Sequence, residues 1–334
     1  MVFESRPGDT IALGASTWRI EEISHDRVTV SPAAGEAGRL PFWRGDGIGR
    51  PVELGRRQGE LLAELSSRSR SEAVRWSKDE LPLNDHATEN LINYVHDQKD
   101  RAGVVPTHDT LLAERFRDEL GDWRLCLLSP FGSRVHAPLA IAAQAKLAAL
   151  TGVEIQVTYN NDGLVWQSVE SDDVPDITSF LPHPDEVESL ITEHVGRSAL
   201  FASMFRENAG RSLLLTRRSI DGRNPLWAQR LKSKNLLGVV QRYPRFPIVL
   251  ETYRQCLQDI FDLPGTVDLL RRIEDGRVRI EQIETQSPSP FASSLIYEHV
   301  SQFLYESDAP AAETRMQALS LDRKLLHELL GEAA

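Results

Sequence analysis

Arg134 and His136 follow the turn sequence Ser129-Pro130-Phe131-Gly132 and precede an apolar run at helical spacing. Two side chains able to carry positive charge, placed where the first N–H groups of a helix emerge, can receive a phosphate. The elements that would hold them are legible on either side. Trp123, Leu125 and Leu127 mark a short strand. Leu139, Ala140, Ala143, Leu147 and Leu150 recur as one helix face, with Gly152 as the stop. Pro138 suits the first helical turn, where a missing N–H leaves nothing unpaired. The competing reading is a plain strand-to-helix corner in which Arg134 and His136 only cap or cover. Residue chemistry favours the corner, because an anion site asks for a helix start and little else.

A second candidate is PFWRGDGIGRP at 41–51, a turn-rich segment with three glycines that carries Trp43 together with Arg44 and Arg50. An aromatic ring beside guanidinium groups can stack on a nucleic-acid base, and it can equally close the bottom of a sheet. A third is a basic island at 211–254, where ten Arg and Lys face only Asp221 and Glu251. Within it Arg217 and Arg218 lie on the polar loop RRSIDGRN. Arg230 and Lys234 share a helix face at i,i+4, which reads either as a phosphate-contacting edge or as a solvated face. Trp18 and Trp227 read as core. The net charge is −11, and residues 172–193 hold seven acids and no Lys or Arg. Such a chain does not coat nucleic acid through bulk charge, and a restricted basic island is what a local binder would carry.

Much chemistry is absent from the sequence. There is no G-x-x-x-x-G-K-[ST] to cradle a triphosphate and no DEAD or DEAH box to hold magnesium. His327-Glu328 lacks the second histidine of a zinc-protease helix, and no G-x-S-x-G supplies a serine nucleophile. No catalytic and no metal-ligating residue is assigned. Glu114 and Asp118, at i,i+4, read as a solvated face. Cys126 and Cys256 have no metal or redox spacing, so a reducing cytoplasm is the expected compartment. No apolar run is long enough to span a bilayer.

The elements point to an α+β fold. An antiparallel sheet or barrel-like N-terminal part with interspersed helices is followed by a mainly helical, winged-helix-like part. Residues 1–52 read as a β-rich meander and 53–104 as a helical connector. Residues 105–176 form an α/β segment sharing the sheet of 1–52, with Asn160-Asn161-Asp162-Gly163 turning a hairpin. Residues 177–310 are helical with the basic island. There, helices at 247–261 and 264–273 followed by a strand at 277–285 make the winged-helix pattern. Residues 311–334 end in one more helix.

RFRDELGDWR at 115–124 followed by SPFGSRVHAPLA at 129–140 resembles the DEAD/H-associated region of Lhr (large helicase-related) proteins, bacterial superfamily 2 helicases. GDTIALGASTWRIEEISHDRVTVSPA at 8–33, PFWRGDGIGRP at 41–51, RYPRFPIVLETYRQCLQDIFDLPG at 242–265 and TQSPSPFASSLIYEHVSQFLYESDAP at 285–310 resemble the same family in the same order. The resemblance implies an accessory C-terminal region, cut from a longer polypeptide. It would grip single-stranded DNA, or the DNA strand of an RNA–DNA hybrid, behind RecA-like motor lobes and a winged-helix domain. ATP and magnesium are then expected in those lobes and no cofactor in this chain. The parent activity it implies is ATP-driven 3′-to-5′ translocation and duplex unwinding, in repair of damaged DNA. The resemblance tilts Trp43 toward base stacking, and Arg44, Arg50, Arg134, Arg217, Arg218, Arg230 and Lys234 toward phosphates. Two other classes compete: a winged-helix glycosylase acting on a flipped base, and a scaffold that binds protein partners.

Overall fold

The computed structural model describes residues 7–13, 16–24, 27–33, 49–118, 121–152, 156–168, 175–215, 218–219, 222–223, 226–243 and 245–297. Trp43, Arg44, Arg217 and the helix expected after residue 310 lie outside the described residues. The fold is mixed α+β. In chain order, β1 (Thr10–Leu13), β2 (Ser16–Ile23) and β3 (Val28–Pro32) come first. Then come α1 (Val52–Ser67), α2 (Arg70–Glu80), α3 (Asp85–Ala102), β4 (Thr110–Arg117), β5 (Trp123–Leu128) and α4 (Ser133–Thr151). β6 (Gln156–Tyr159), β7 (Gly163–Ser168), α5 (Ile177–Phe180), α6 (Val187–Val195) and α7 (Ala199–Arg211) follow. β8 (Arg218–Ser219), β9 (Gly222–Arg223), α8 (Leu226–Val240), α9 (Pro247–Arg254), α10 (Leu263–Glu274) and β10 (Arg279–Glu284) complete the order. The last turns of α9 widen into a π-helix at Gln255–Ile260.

The chain divides into two compact units. One holds the described residues of 7–33 and 194–259, the other those of 49–193 and 260–297. This corrects two expectations. The meander β1-β2-β3 is an antiparallel sheet of its own and shares no ladder with 105–176. The stretch 177–310 is not one helical part either, since its residues fall to both units.

In the larger unit the sheet order is β10-β4-β5-β7-β6, antiparallel except for the β10–β4 pair. β10 was expected as the strand of a winged helix. It instead pairs in parallel with β4, residue Arg279 opposite Thr110, and a parallel pair requires the long crossover that the intervening chain provides. β5 is buried along its whole length, so both faces of the sheet centre are covered. Glu114 and Asp118 are therefore not on a solvated face. Glu114 is fully buried and accepts from the Thr285 hydroxyl at 2.9 Å and from the Ser289 N–H at 2.7 Å and hydroxyl at 2.5 Å. Asp118 pairs with Arg124 at 3.0 Å, both side chains under a tenth exposed. A buried carboxylate persists only when its lone pairs are met in this way.

α1, α2 and α3 pack on one another around Leu62, Leu65, Ala73, Ile92 and Val95. Leu65 and Ile92 are fully buried, each contributing about 2 kcal/mol of transfer free energy. Leu54, near the start of α1, is exposed. α3 starts on the Asn84 side chain, which accepts from the Ala87 N–H at 2.8 Å, and ends at left-handed Gly103, as its sequence predicts.

α4 begins at Ser133, so Pro138 lies in its second turn rather than its first. Proline has no N–H for the carbonyl four residues back, here that of Arg134. That carbonyl accepts instead from the Asp262 N–H at 2.9 Å, at the start of α10. Thr266 adds a hydroxyl bond to the Val135 carbonyl at 3.2 Å. The carbonyl that Pro138 releases is where α10 docks on α4.

Candidate nucleic-acid interface

The start of α4 ties together polar groups from distant parts of the chain. Gly132 precedes the helix at φ +93°, and a Cβ there would stand 2.2 Å from the Arg50 carbonyl oxygen. Only glycine permits both the left-handed backbone and that approach. The chain at Arg50 thus crosses directly over the helix start. The Asn161 side-chain oxygen accepts from the Arg50 N–H at 2.8 Å and from the Ser133 N–H at 3.1 Å. Here the chain's own amide oxygen takes a helix N–H that a phosphate would have used.

Arg50 itself is engaged. Its guanidinium donates to the Pro130 carbonyl at 3.1 Å and the Asn161 carbonyl at 2.9 Å, and pairs with Asp162 at 2.8 Å. It staples the β6–β7 turn to the turn after β5. Arg134 is half-buried in the first turn of α4, beside Gly49.

His136 is fully buried and touches both neighbouring elements. Its Nδ1 lies 2.8 Å from the Asn160 carbonyl and its Nε2 2.8 Å from the Ser129 hydroxyl. A carbonyl can only accept, so Nδ1 carries the proton and Nε2 accepts from Ser129. Burial pushes the imidazole pKa down to about 4. The ring is neutral at pH 7, which removes the second cation expected at this helix start. The Ser129–His136 pair has the spacing of a nucleophile and its base, yet both side chains are sealed, at 2% and 0% exposure. It is a structural bond. Between the two readings of this corner, the geometry has the capping groups in place.

The basic island, in the smaller unit, is different. α7 is held against α9 by Asn208, which donates to Thr252 at 3.1 Å and Gln255 at 3.0 Å, and by Phe201 against Tyr253 at 4.5 Å. α8 packs on α7. Its Arg230, Lys232 and Lys234 are exposed, while Ser233 and Val240 are buried. Arg211 and Arg254 are engaged by acids, at 2.7 Å to Glu207 and 2.8 Å to Glu251. Arg218 opens the two-residue ladder β8–β9. The structure thus brings Arg50 and Arg134 together in the larger unit and sets Arg218, Arg230 and Lys234 in the smaller one.

Sequence reasoning counted Arg242 and Arg245 in the basic island and passed over Tyr243 between them. From Gly222 to Leu250 the sequence has no Asp or Glu and six Arg or Lys. Lys232, Lys234, Arg242 and Arg245 are all exposed, and none has an ion pair with a described residue. Among them Tyr243 is 63% exposed. The acid-free run with a central tyrosine was the available signal.

The family model described as DEAD/H associated matches residues 105–292, more than half of the chain. The chain belongs to the DEAD/H-associated family of Lhr proteins. A second family model, the winged helix domain of large helicase-related proteins, matches residues 1–40. The winged-helix likeness therefore falls on the segment of β1–β3, not on 247–285. A Mycolicibacterium smegmatis protein named Lhr helicase/probable uracil glycosylase is 49% identical over 99% of this chain. The Escherichia coli Lhr helicase/uracil glycosylase is 45% identical over 99% of it. The chain spans 22% of the length of each. A solved structure of Mycobacterium smegmatis helicase Lhr, bound to ssDNA and AMP-PNP, is similar with a TM-score of 0.69 and 46% identity. That likeness covers 78% of this chain and 33% of the other. Among the described residues of this Lhr-family chain, no helix is long and apolar enough to cross a membrane.

Proposed function

We propose that this chain is the accessory part of an Lhr-type helicase that holds the tracking single strand behind the motor lobes. The likeness to the Mycobacterium smegmatis helicase bound to ssDNA is the observation that carries the reading. The strand is single-stranded DNA or the DNA strand of an RNA–DNA hybrid. Trp43 stacks on a base, and cations of the basic island, Arg217, Arg218, Arg230 and Lys234, meet phosphates. RecA-like lobes and a winged-helix domain of the same protein are the covalent partners, and the whole protein unwinds duplexes 3′ to 5′ in DNA repair.

ATP and magnesium belong, in this reading, to those lobes, since no G-x-x-x-x-G-K-[ST] stands in this sequence to cradle a triphosphate. Base removal gains nothing from the geometry, since His136 is sealed and Glu114 has all its acceptors met within the fold.

The test is fluorescence anisotropy of a short labelled single strand at two salt concentrations, wild type against Trp43→Ala. Weak, salt-sensitive binding that falls about tenfold in the variant is expected. A folded wild-type chain with no affinity at low salt overturns the reading.

A further inference from the structure

We infer that Tyr243, at the corner between α8 and α9, is a base-stacking platform for single-stranded nucleic acid, flanked by Arg242 and Arg245 as phosphate contacts, with Lys232 and Lys234 further back on α8. The inference rests on the proposed strand-holding role and names a surface for it within the smaller unit.

Three observations meet at this corner. The ring of Tyr243 is 63% exposed on a chain that has the whole core of its unit in which to bury it. A tyrosine left outside forgoes the burial of a large apolar face. Its backbone is nonetheless fixed: the Tyr243 N–H donates to the Val240 carbonyl at 2.9 Å, and the Tyr243 carbonyl accepts from the Phe246 N–H at 2.9 Å. The ring is presented from an ordered turn, which lowers the entropy lost when a base lands on it. Finally, Arg242 and Arg245 on either side of it and Lys232 and Lys234 on α8 are exposed, and the sequence has no acid between Gly222 and Leu250.

Cations with an aromatic between them match a phosphate backbone with unstacked bases. A duplex does not match. Its bases are stacked on both faces, so a protruding ring finds only edges, while single strands offer open faces. The position is tolerant of sequence, because every base has such a face.

The experiment uses the full chain and a labelled oligothymidine of about 12 nucleotides, read by anisotropy at several salt concentrations. Tyr243→Ala is expected to weaken binding about fivefold or more with an unchanged salt slope, the loss of one stack. Tyr243→Phe, which keeps the ring, should bind within about twofold of wild type. Arg242→Ala with Arg245→Ala should leave the chain folded and reduce the slope of log K against log salt by about 1.4, two phosphates on a single strand. Wild-type binding that Tyr243→Ala leaves untouched overturns this inference and leaves the strand-holding role standing. So does a Tyr243→Phe as weak as Tyr243→Ala, which would assign the hydroxyl and not the ring. A wild type that binds no strand overturns the strand-holding role, and the inference with it.

Discussion

Two arginine-bearing turns in this molecule look alike in sequence and differ in what surrounds them. At the start of α4, Arg50 has acceptors on Pro130, Asn161 and Asp162, and Asn161 covers the helix N–H of Ser133. On α8 and at the corner after it, Lys234, Arg242 and Arg245 stand exposed with no ion pair to a described residue. The first region uses its polar groups to join a helix, a strand end and a hairpin. The second leaves its charge in water. A cation becomes a structural staple when carbonyls are brought to it, and a candidate contact for a partner when none are.

Substitutions should separate the two regions sharply. The largest effect is expected at Gly132→Ala, where a new methyl meets the Arg50 carbonyl at 2.2 Å on a left-handed backbone. A loss on the order of 4 kcal/mol in urea unfolding is expected. A near-neutral result would mean that the chain at Arg50 does not cross the helix start.

Acid tests the same helix start. The folded imidazole of His136 is depressed to about 4 from an ordinary 6.5. Between those values the unfolded chain binds more protons, so stability rises with pH. The contribution is complete above pH 6.5 and is lost as pH falls toward 4, on the order of 3 kcal/mol in all. His136→Gln should flatten that part of the stability–pH curve. An unchanged curve would place the pH dependence elsewhere.

Arg50→Ala comes next, at about 2–3 kcal/mol, for the loss of charge-assisted bonds to two carbonyls. Its salt slope for strand binding should stay as in wild type. Smallest in stability is Lys234→Ala, within about 0.5 kcal/mol of wild type as a surface change, with the binding slope reduced by about 0.7. If Lys234→Ala unfolds as readily as Arg50→Ala, the contrast between staple and open contact collapses.

Local signals were legible residue by residue. Asn84 and Gly103 bound α3, Ser198 caps α7, and Asn160-Asn161-Asp162-Gly163 turns the β6–β7 hairpin. Each acts within a few residues, so a linear reading reaches it. The capping box of Ser69 and Glu72, which starts α2, was equally local and was passed over. The candidate site was less legible. Arg50 and Asn161 are 111 positions apart, and nothing along the chain announces that one will satisfy the other. Glu114 shows the same limit: beside Asp118 in a charged stretch it reads as a solvated face, and the sheet buries it.

By itself the sequence determined the order of strands and helices, their caps, the family, and the placement of an acid-free basic run. Those depend on short-range hydrogen bonding and on residue patterns that persist along the chain. Only the tertiary structure decided that β10 joins β4 in parallel, that β1–β3 stand as a separate sheet, and that His136 is a neutral tie. It also decided which cations meet carbonyls and which face water. Partner choice at that range depends on which surfaces the fold brings together, and a carbonyl within 3 Å outweighs any propensity written in the neighbouring residues.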